Sequence, residues 1–575
     1  MQRLALSTML ICMLIVVVAC SSATPAQPTA PQASVPQPAP TQAPPQVAQP
    51  TSAPTPQAAA QPTSAPTAAQ AAAGGHITEV NFADAKSLNS VLAVDSYSGA
   101  VISMLGNGLV RLNPDNLLPI PDLATQWSVS PDNLTYTFTL RNDVKFHDGS
   151  KFTADDVKFT YELMLNEKVN SPRRAPLSII DSITVKSPTE IEFKLKKVTA
   201  DFLVTHATYQ IVPKSVLGNV PPEAISSHDF NTKTPIYTGP FKFKEWVKDD
   251  HITLVANPDY FRGKPKIDEY VFKVVKDANV VAAQLKTGEA DFGQFEPPLL
   301  SELQKQANLK IFAYPTFVFT FYSYQLDPAR TTLFQDVRVR QALLYALDRQ
   351  AMVDSIMSGQ AVVANTTEPV LSWAYKPDVN QKYTYDAQKA EQLLDEAGWK
   401  KGADGVREKD GQKLKFTCYT NAGNKVRENY LTVMQEQWRK IGVDMTPKTE
   451  ELGVMLDRIL KTHDFECFLV GFPWGVDPNQ KAMWHTDSYN GGQNMNKYSN
   501  KELDKILDDA LNTTDVTKRK EMYFQMQEIL MRDVPSVILD FPKTLAAVNK
   551  RVVNLEPKAV GMRNNAETWA VTDGK

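Results

Sequence analysis

Cysteine is scarce, four in 575 residues, so no dense disulfide framework holds the chain and its folded part must rest on hydrophobic cores. Histidine is almost as rare: the seven present are scattered without metal-ligand spacing, and HExxH, P-loop and G-x-S-x-G patterns are missing. Single carboxylates near tryptophans do not identify the opposed pair a glycosidase needs, so no constellation here supports an enzyme. Neither sign of charge dominates. Lys and Arg number 61 against 64 Asp and Glu, for a net −3, and their interspersion leaves no broad cationic face for a nucleic acid. Small solutes and proteins are the partners that remain.

Charge is absent from the first stretch altogether, apart from Arg3. It precedes the apolar run Leu4–Ala19, which at about 16 residues is shorter than the ~20 of a spanning helix and has the layout of a signal sequence over 1–19. Val17-Val18-Ala19-Cys20 resembles the bacterial lipobox, which implies lipidation at Cys20. From Ser21 to Ala73 there is no aromatic residue, and proline recurs about every fourth position, a composition that forms no core. Residues 20–75 read as a lipidated cysteine and a disordered spacer, in which QPTSAPT occurs at Gln49 and again at Gln61. At up to ~3.1 Å per residue such a spacer holds a cargo well away from a membrane.

From His76 onward strands and helices alternate. "LTYTFTL" and "EIEFKLKK" alternate as half-buried strands, and Thr153 with Asp156 has capping-box spacing. "GPFKFKEW" and "HITLVANPDY" pair across a turn at Lys248 to Asp250. "YVFKVV" leads to a helix between Asp277 and Gly288. A single helix is expected from the cap Asp336 to the stop Gly359, with Arg338, Arg340, Asp348 and Arg349 on a solvated, salt-bridged face. A further helix runs between Asp386 and Gly398. "LKFTCYT", "VDMTPKT" and "DFECFLVGF", separated by helices, predict parallel strands joined by right-handed crossovers. The class is α/β.

Several phrases, "LATQWSVSPDNLTYTFTLRNDVKFHDGSKFTADDVKF", "TGPFKFKEW", "NPDYFRGKPKIDEYVFKVV", "DVRVRQALLYALDRQAMV" and "YDAQKAEQLLDEAGW", together resemble the extracellular solute-binding proteins of family 5, the dipeptide, oligopeptide and nickel type. The resemblance covers nearly everything from Val80. It implies a two-lobed, class II periplasmic-binding-protein-like fold with an extra α+β domain inserted in the first lobe. Lobe I would comprise 76–115, 231–312 and 541–575, the inserted domain 116–230 and lobe II 313–540. It further implies a monomeric receptor with no cofactor that delivers a peptide to the permease subunits of a membrane ABC importer. Such a receptor would be extracytoplasmic, here tied to the membrane through its N-terminal lipid. An oligosaccharide receptor is the alternative, because Trp474 and Trp484 flank the expected cleft; a ligand-binding sensor is another. Nickel or haem finds no His or Cys cluster.

Ligands of parallel α/β sheets sit beyond the carboxyl ends of strands. That rule selects Asn421 and Asn424, which could equally make a turn and helix cap. It also selects Trp474 and Asp477, which could equally be interlobe core and the turn before Pro478. In peptide-binding relatives an aspartate in this loop pairs with the ligand's α-amino group; here that slot falls at Gly475, with Asp477 displaced by two. Tyr97 and Tyr324 correspond to the early cleft segment and the interlobe strand, where Gln325 replaces a frequent asparagine. Trp373 is a weaker aromatic candidate. Cys418 and Cys467 are either a disulfide or two buried thiols, and sequence does not decide between them.

Overall fold

Six strands frame the molecule: β1 (His76–Asn81), β2 (Phe292–Gln294), β3 (Val318–Tyr324), β4 (Lys415–Asn421), β5 (Cys467–Pro473) and β6 (Ser536–Asn549). The structure, a computed structural model, describes residues 74–573; the leader 1–19, Cys20 and the spacer up to residue 73 lie outside the described residues. The strands belong to one 12-stranded sheet. Its order is Asp444–Glu450, β4, β5, β3, β6, β2, β1, Glu269–Val274, His251–Ala256 and Phe241–Val247, with Leu309–Pro315 and Ala361–Val363 also pairing with β6.

The first half of β6 pairs with β3, Asp540 opposite Thr320 and Ser536 opposite Ser323. Its second half pairs with Leu309–Pro315 and with β2. One strand therefore completes the sheet of both lobes, and the boundary expected at 540/541 falls within it.

In lobe II, β4 runs parallel to Asp444–Glu450 and to β5, as the alternation of strands and helices predicts. The crossover helix between β4 and Asp444–Glu450 spans Lys425–Lys440 and follows its cap Asn424. Helices cover both faces of this sheet. Leu343, Leu394, Met434 and Trp438 pack on one side, and Phe319, Trp484, Leu503 and Met526 on the other. Trp438 is fully buried and its indole N–H donates to the Leu343 carbonyl at 2.8 Å. The ring gains the roughly 1.5–3 kcal/mol of a buried large side chain without stranding its polar atom.

Lobe I and the inserted domain share one core. Ile77, Phe241, Tyr270, Phe292 and Trp569 of the lobe join Tyr136, Phe138, Tyr161, Phe193 and Phe202 of the insertion in a single cluster. The insertion is a four-stranded antiparallel sheet ordered Ala124–Val129, Thr135–Leu140, Glu190–Leu195, Ile180–Ser187. Against it lies the helix Ala154–Leu165, whose capping box forms as its spacing predicts, with Thr153 N–H donating to Asp156 at 2.9 Å.

The helix expected from Asp336 to Gly359 is two. Val337–Tyr345 ends before Asp348, which caps a new helix Arg349–Ile356 by accepting from the Ala351 N–H. The Asp348 N–H is meanwhile taken by the Gln437 side chain at 2.8 Å, so it no longer serves the first helix. Nor do these arginines form a solvated face. Arg340 and Arg349 are buried and clamp backbone carbonyls, Arg340 those of Phe334, Gln335, Asp533 and Val534, Arg349 those of Ala364 and Tyr383. Only Arg338 keeps a partly exposed ion pair, with Asp336.

Candidate functional site

The carboxyl ends of β4 and β5 lie side by side, because their parallel pairing sets Tyr419 opposite Phe468. β4 ends at Asn421 and the helix Lys425–Lys440 starts behind Asn424, so Arg427 occupies the first turn of that helix. The Asn424 side chain accepts from the Arg427 N–H, which is the capping role. Asn421 is buried and accepts from Arg427 Nη1 at 2.5 Å. On β5, Gly471 leaves room for the same guanidinium: an ideal Cβ there would stand 2.8 Å from Arg427 Nη2.

Arg427 is thus wedged across both strand ends. Burial alone lowers its guanidinium to about 10, and no carboxylate forms an ion pair with it among the described residues. Sequence reasoning missed it. A lone arginine in a first helical turn carries no local signal, whereas its setting depends on a glycine far along the chain.

Beyond β5 the two predicted contact residues have partners of their own. The Trp474 ring stacks on Phe319 of β3, centroids 4.3 Å apart and planes inclined by 18°. Its indole N–H donates to the Thr367 carbonyl at 3.2 Å, which leaves the residue half-buried. Asp477 is buried and bidentate to Arg519, at 2.9 and 2.7 Å. Burial pushes its carboxyl above the usual range, opposed by that arginine. Its charge is therefore spent within lobe II rather than held ready for a ligand. Nearby Glu368 contacts Gln480, and burial pushes it up to about 8, with Asp477 adding to the rise.

Tyr324 is fully buried. Its hydroxyl donates to Tyr322 at 3.1 Å and its ring packs at 4.9 Å from Phe334, inside the lobe II core. It has no surface to present to a solute in this structure. Trp484 is likewise core, its indole N–H bonded to Gln480 at 2.6 Å. Trp373 packs 5.8 Å from Tyr523. Tyr97 stands on lobe I, half-buried in the helix Ser96–Leu105 that Asp95 caps through the Ser98 N–H. Burial, then the charge of Asp95, raises its phenol. The structure thus gathers Asn421, Asn424 and the unforeseen Arg427 into one constellation and sets Trp474 and Asp477 in the next loop. Tyr97 stands on the helix Ser96–Leu105 of lobe I, and Tyr324 is withdrawn into the core.

The inserted domain meets lobe II at a polar seam. Ala200 N–H donates to the Leu511 carbonyl at 3.1 Å, Asn479 to Asp201 Oδ2 at 3.3 Å, and Thr514 to Asn133 at 3.1 Å. Asp201 Oδ1 is buried there with no hydrogen-bond partner, and burial raises this carboxyl despite Asn479 and Arg519. Among the described residues no group of three or more His, Cys, Asp and Glu side chains could hold a metal ion.

Comparison with known proteins fixes the family. The model of the bacterial extracellular solute-binding proteins, family 5, matches residues 119–494. The oligopeptide-binding protein AppA of Bacillus subtilis is 33% identical over 500 residues, 86% of this chain and 91% of the relative. Its solved structure, in complex with a nonapeptide, superposes with a TM-score of 0.73 over 87% of this chain and all of that one. DppA of Helicobacter pylori with the peptide STSA has a TM-score of 0.71 at 25% identity, covering 87% of this chain and 99% of that one. NikZ of Campylobacter jejuni with Ni(L-His) has a TM-score of 0.73 at 29% identity, covering 86% and 99%. With the family model spanning most of the described chain and AppA matched almost end to end, this protein belongs to the extracellular solute-binding proteins of family 5.

Proposed function

We propose that this chain is the capture receptor of an ABC importer, and that it closes its two lobes on a peptide whose free carboxylate is received by Arg427. The observation that carries the carboxylate is the uncompensated guanidinium at the ends of β4 and β5. A half-buried cation with no anion beside it is costly, and a ligand carboxylate supplies the missing charge in bidentate geometry. Closure follows as a population shift, because a solute that touches both lobes stabilises the closed state that a permease recognises. Tyr97 from lobe I and the exposed part of Trp474 complete the enclosure. The oligosaccharide alternative loses support, since Trp484 lies in the core and one face of Trp474 is occupied by Phe319.

The receptor acts as a monomer outside the membrane, anchored by lipid on Cys20 with the proline-rich spacer as tether, which raises its effective concentration at the permease. Intact-mass analysis showing an unmodified Cys20 thiol in protein from the native host overturns the anchor.

Calorimetry on ligand-stripped protein tests the site. A peptide with a free carboxyl terminus is expected to bind, and its C-terminal amide to bind roughly 100-fold more weakly, in line with the ~2–5 kcal/mol cost of truncating one partner of a buried charge pair. Arg427→Gln is expected to lose the same factor for the free acid and little more for the amide, as a double-mutant cycle requires of two groups in contact. Equal affinity of wild-type protein for acid and amide removes Arg427 from the role, and binding of sugars alone removes the peptide.

A further inference from the structure

Residues 74–573 contain two cysteines, Cys418 and Cys467, and the fold sets them face to face. Cys418 lies in β4 and Cys467 opens β5; the two are direct partners in the parallel ladder, so both side chains leave the sheet on the same side. Adjacent strands run roughly 4.8 Å apart, within the ~4.4–6.8 Å that separates the Cα atoms of a disulfide. The sulfurs stand 2.7 Å apart, whereas non-bonded heavy atoms rest at roughly 3.5–4.0 Å. The structure holds them as two buried free thiols in direct contact. Both residues have no exposed surface and share a core with Tyr322, Phe416, Trp438 and Leu469.

We propose that Cys418 and Cys467 are joined by a disulfide in the mature protein. A family of extracellular proteins works where such a bond persists. Formation is an exchange with the disulfide of an extracytoplasmic thiol oxidoreductase. The Cys418 thiolate attacks one sulfur of that disulfide, making a mixed disulfide and releasing one oxidoreductase thiolate. The Cys467 thiolate then attacks the Cys418 sulfur and releases the second. Two protons leave the receptor, and two electrons pass to the oxidant, which ends as a dithiol. Because the folded lobe gives an oxidant no access to either sulfur, the exchange precedes the closing of the lobe II core.

The bond ties residues 49 positions apart and fastens together the strands that present Asn421 and Arg427 on one side and Trp474 and Asp477 on the other. It therefore stiffens the edge of lobe II that meets the ligand.

The test is a thiol count on the full chain, secreted into an oxidising compartment, denatured without reductant and alkylated with iodoacetamide. Neither Cys418 nor Cys467 is expected to be alkylated, proteolysis is expected to yield the two peptides as one linked species, and prior reduction is expected to label both. In Cys467→Ala protein, Cys418 is expected to become alkylated. Alkylation of both cysteines in unreduced wild-type protein overturns the proposal. The count uses no ligand, so it is decided independently of whether peptides bind.

Discussion

At the level of single side chains, the role of Asp477 turns on Arg519. Sequence offered Asp477 as the charge that anchors a ligand amine; the bidentate pair with Arg519 makes it a structural anion instead. Asp477→Ala strands a buried guanidinium, and such losses cost about 3–5 kcal/mol. Urea denaturation is therefore expected to show a large drop in stability, whereas a variant with wild-type stability and abolished binding would restore the ligand role. Asp540 of β6 gives a pH signature. It is fully buried, accepts from the Tyr430 hydroxyl at 2.7 Å, and burial pushes it up to about 7. Its folded-state value lies above that of the unfolded chain, near 3.9, so the native state holds the proton more tightly. Stability attributable to this group is full below pH about 4, declines as pH rises through about 7 and is then level, a loss of order 2–4 kcal/mol. Asp540→Asn is expected to flatten that part of the pH dependence in denaturation curves taken between pH 5 and 8.

Elements show what a sequence does and does not disclose. Capped helices were legible, because Thr153, Asp277 and Asp386 act on backbone groups within three residues. The parallel run β4, Asp444–Glu450, β5 was legible too, because alternation of strand and helix constrains topology. Tyr324 was not. Helices cover both faces of the lobe II sheet, so β3 is buried from Phe319 through Tyr324, and side-chain parity says nothing about which face meets a cleft. Arg427 escaped notice for a related reason: its partners Asn421 and Gly471 come from different strands, and only their pairing brings them to it. At the seam, Asp201 supplies a second carboxylate beside Asp477 for a single arginine. Asp201→Asn keeps an acceptor for Asn479 while removing a buried charge. The contact between the insertion and lobe II is then favoured, and under the proposed lobe closure ligand dissociation measured by stopped flow is expected to slow by roughly 3–10-fold. Faster release from that variant would mean that the carboxylate holds the seam shut.

For the whole molecule, β6 is the decisive element. Ser536–Asp540 belongs to the lobe II ladder, and the residues from Lys543 to Asn549 belong to that of lobe I. A chain cut after Pro535 is expected to lose cooperative unfolding in both lobes, read by far- and near-ultraviolet circular dichroism, whereas one lobe surviving intact would show that its sheet closes without this strand. The same connectivity bears on biogenesis. A polypeptide threaded amino end first through a narrow pore cannot finish either half of the sheet until nearly all of it has emerged, since β1 and β6 are neighbours of β2 from opposite ends of the sequence. For a chain that crosses a membrane unfolded, the strand order therefore leaves the large sheet incomplete until the crossing is nearly over.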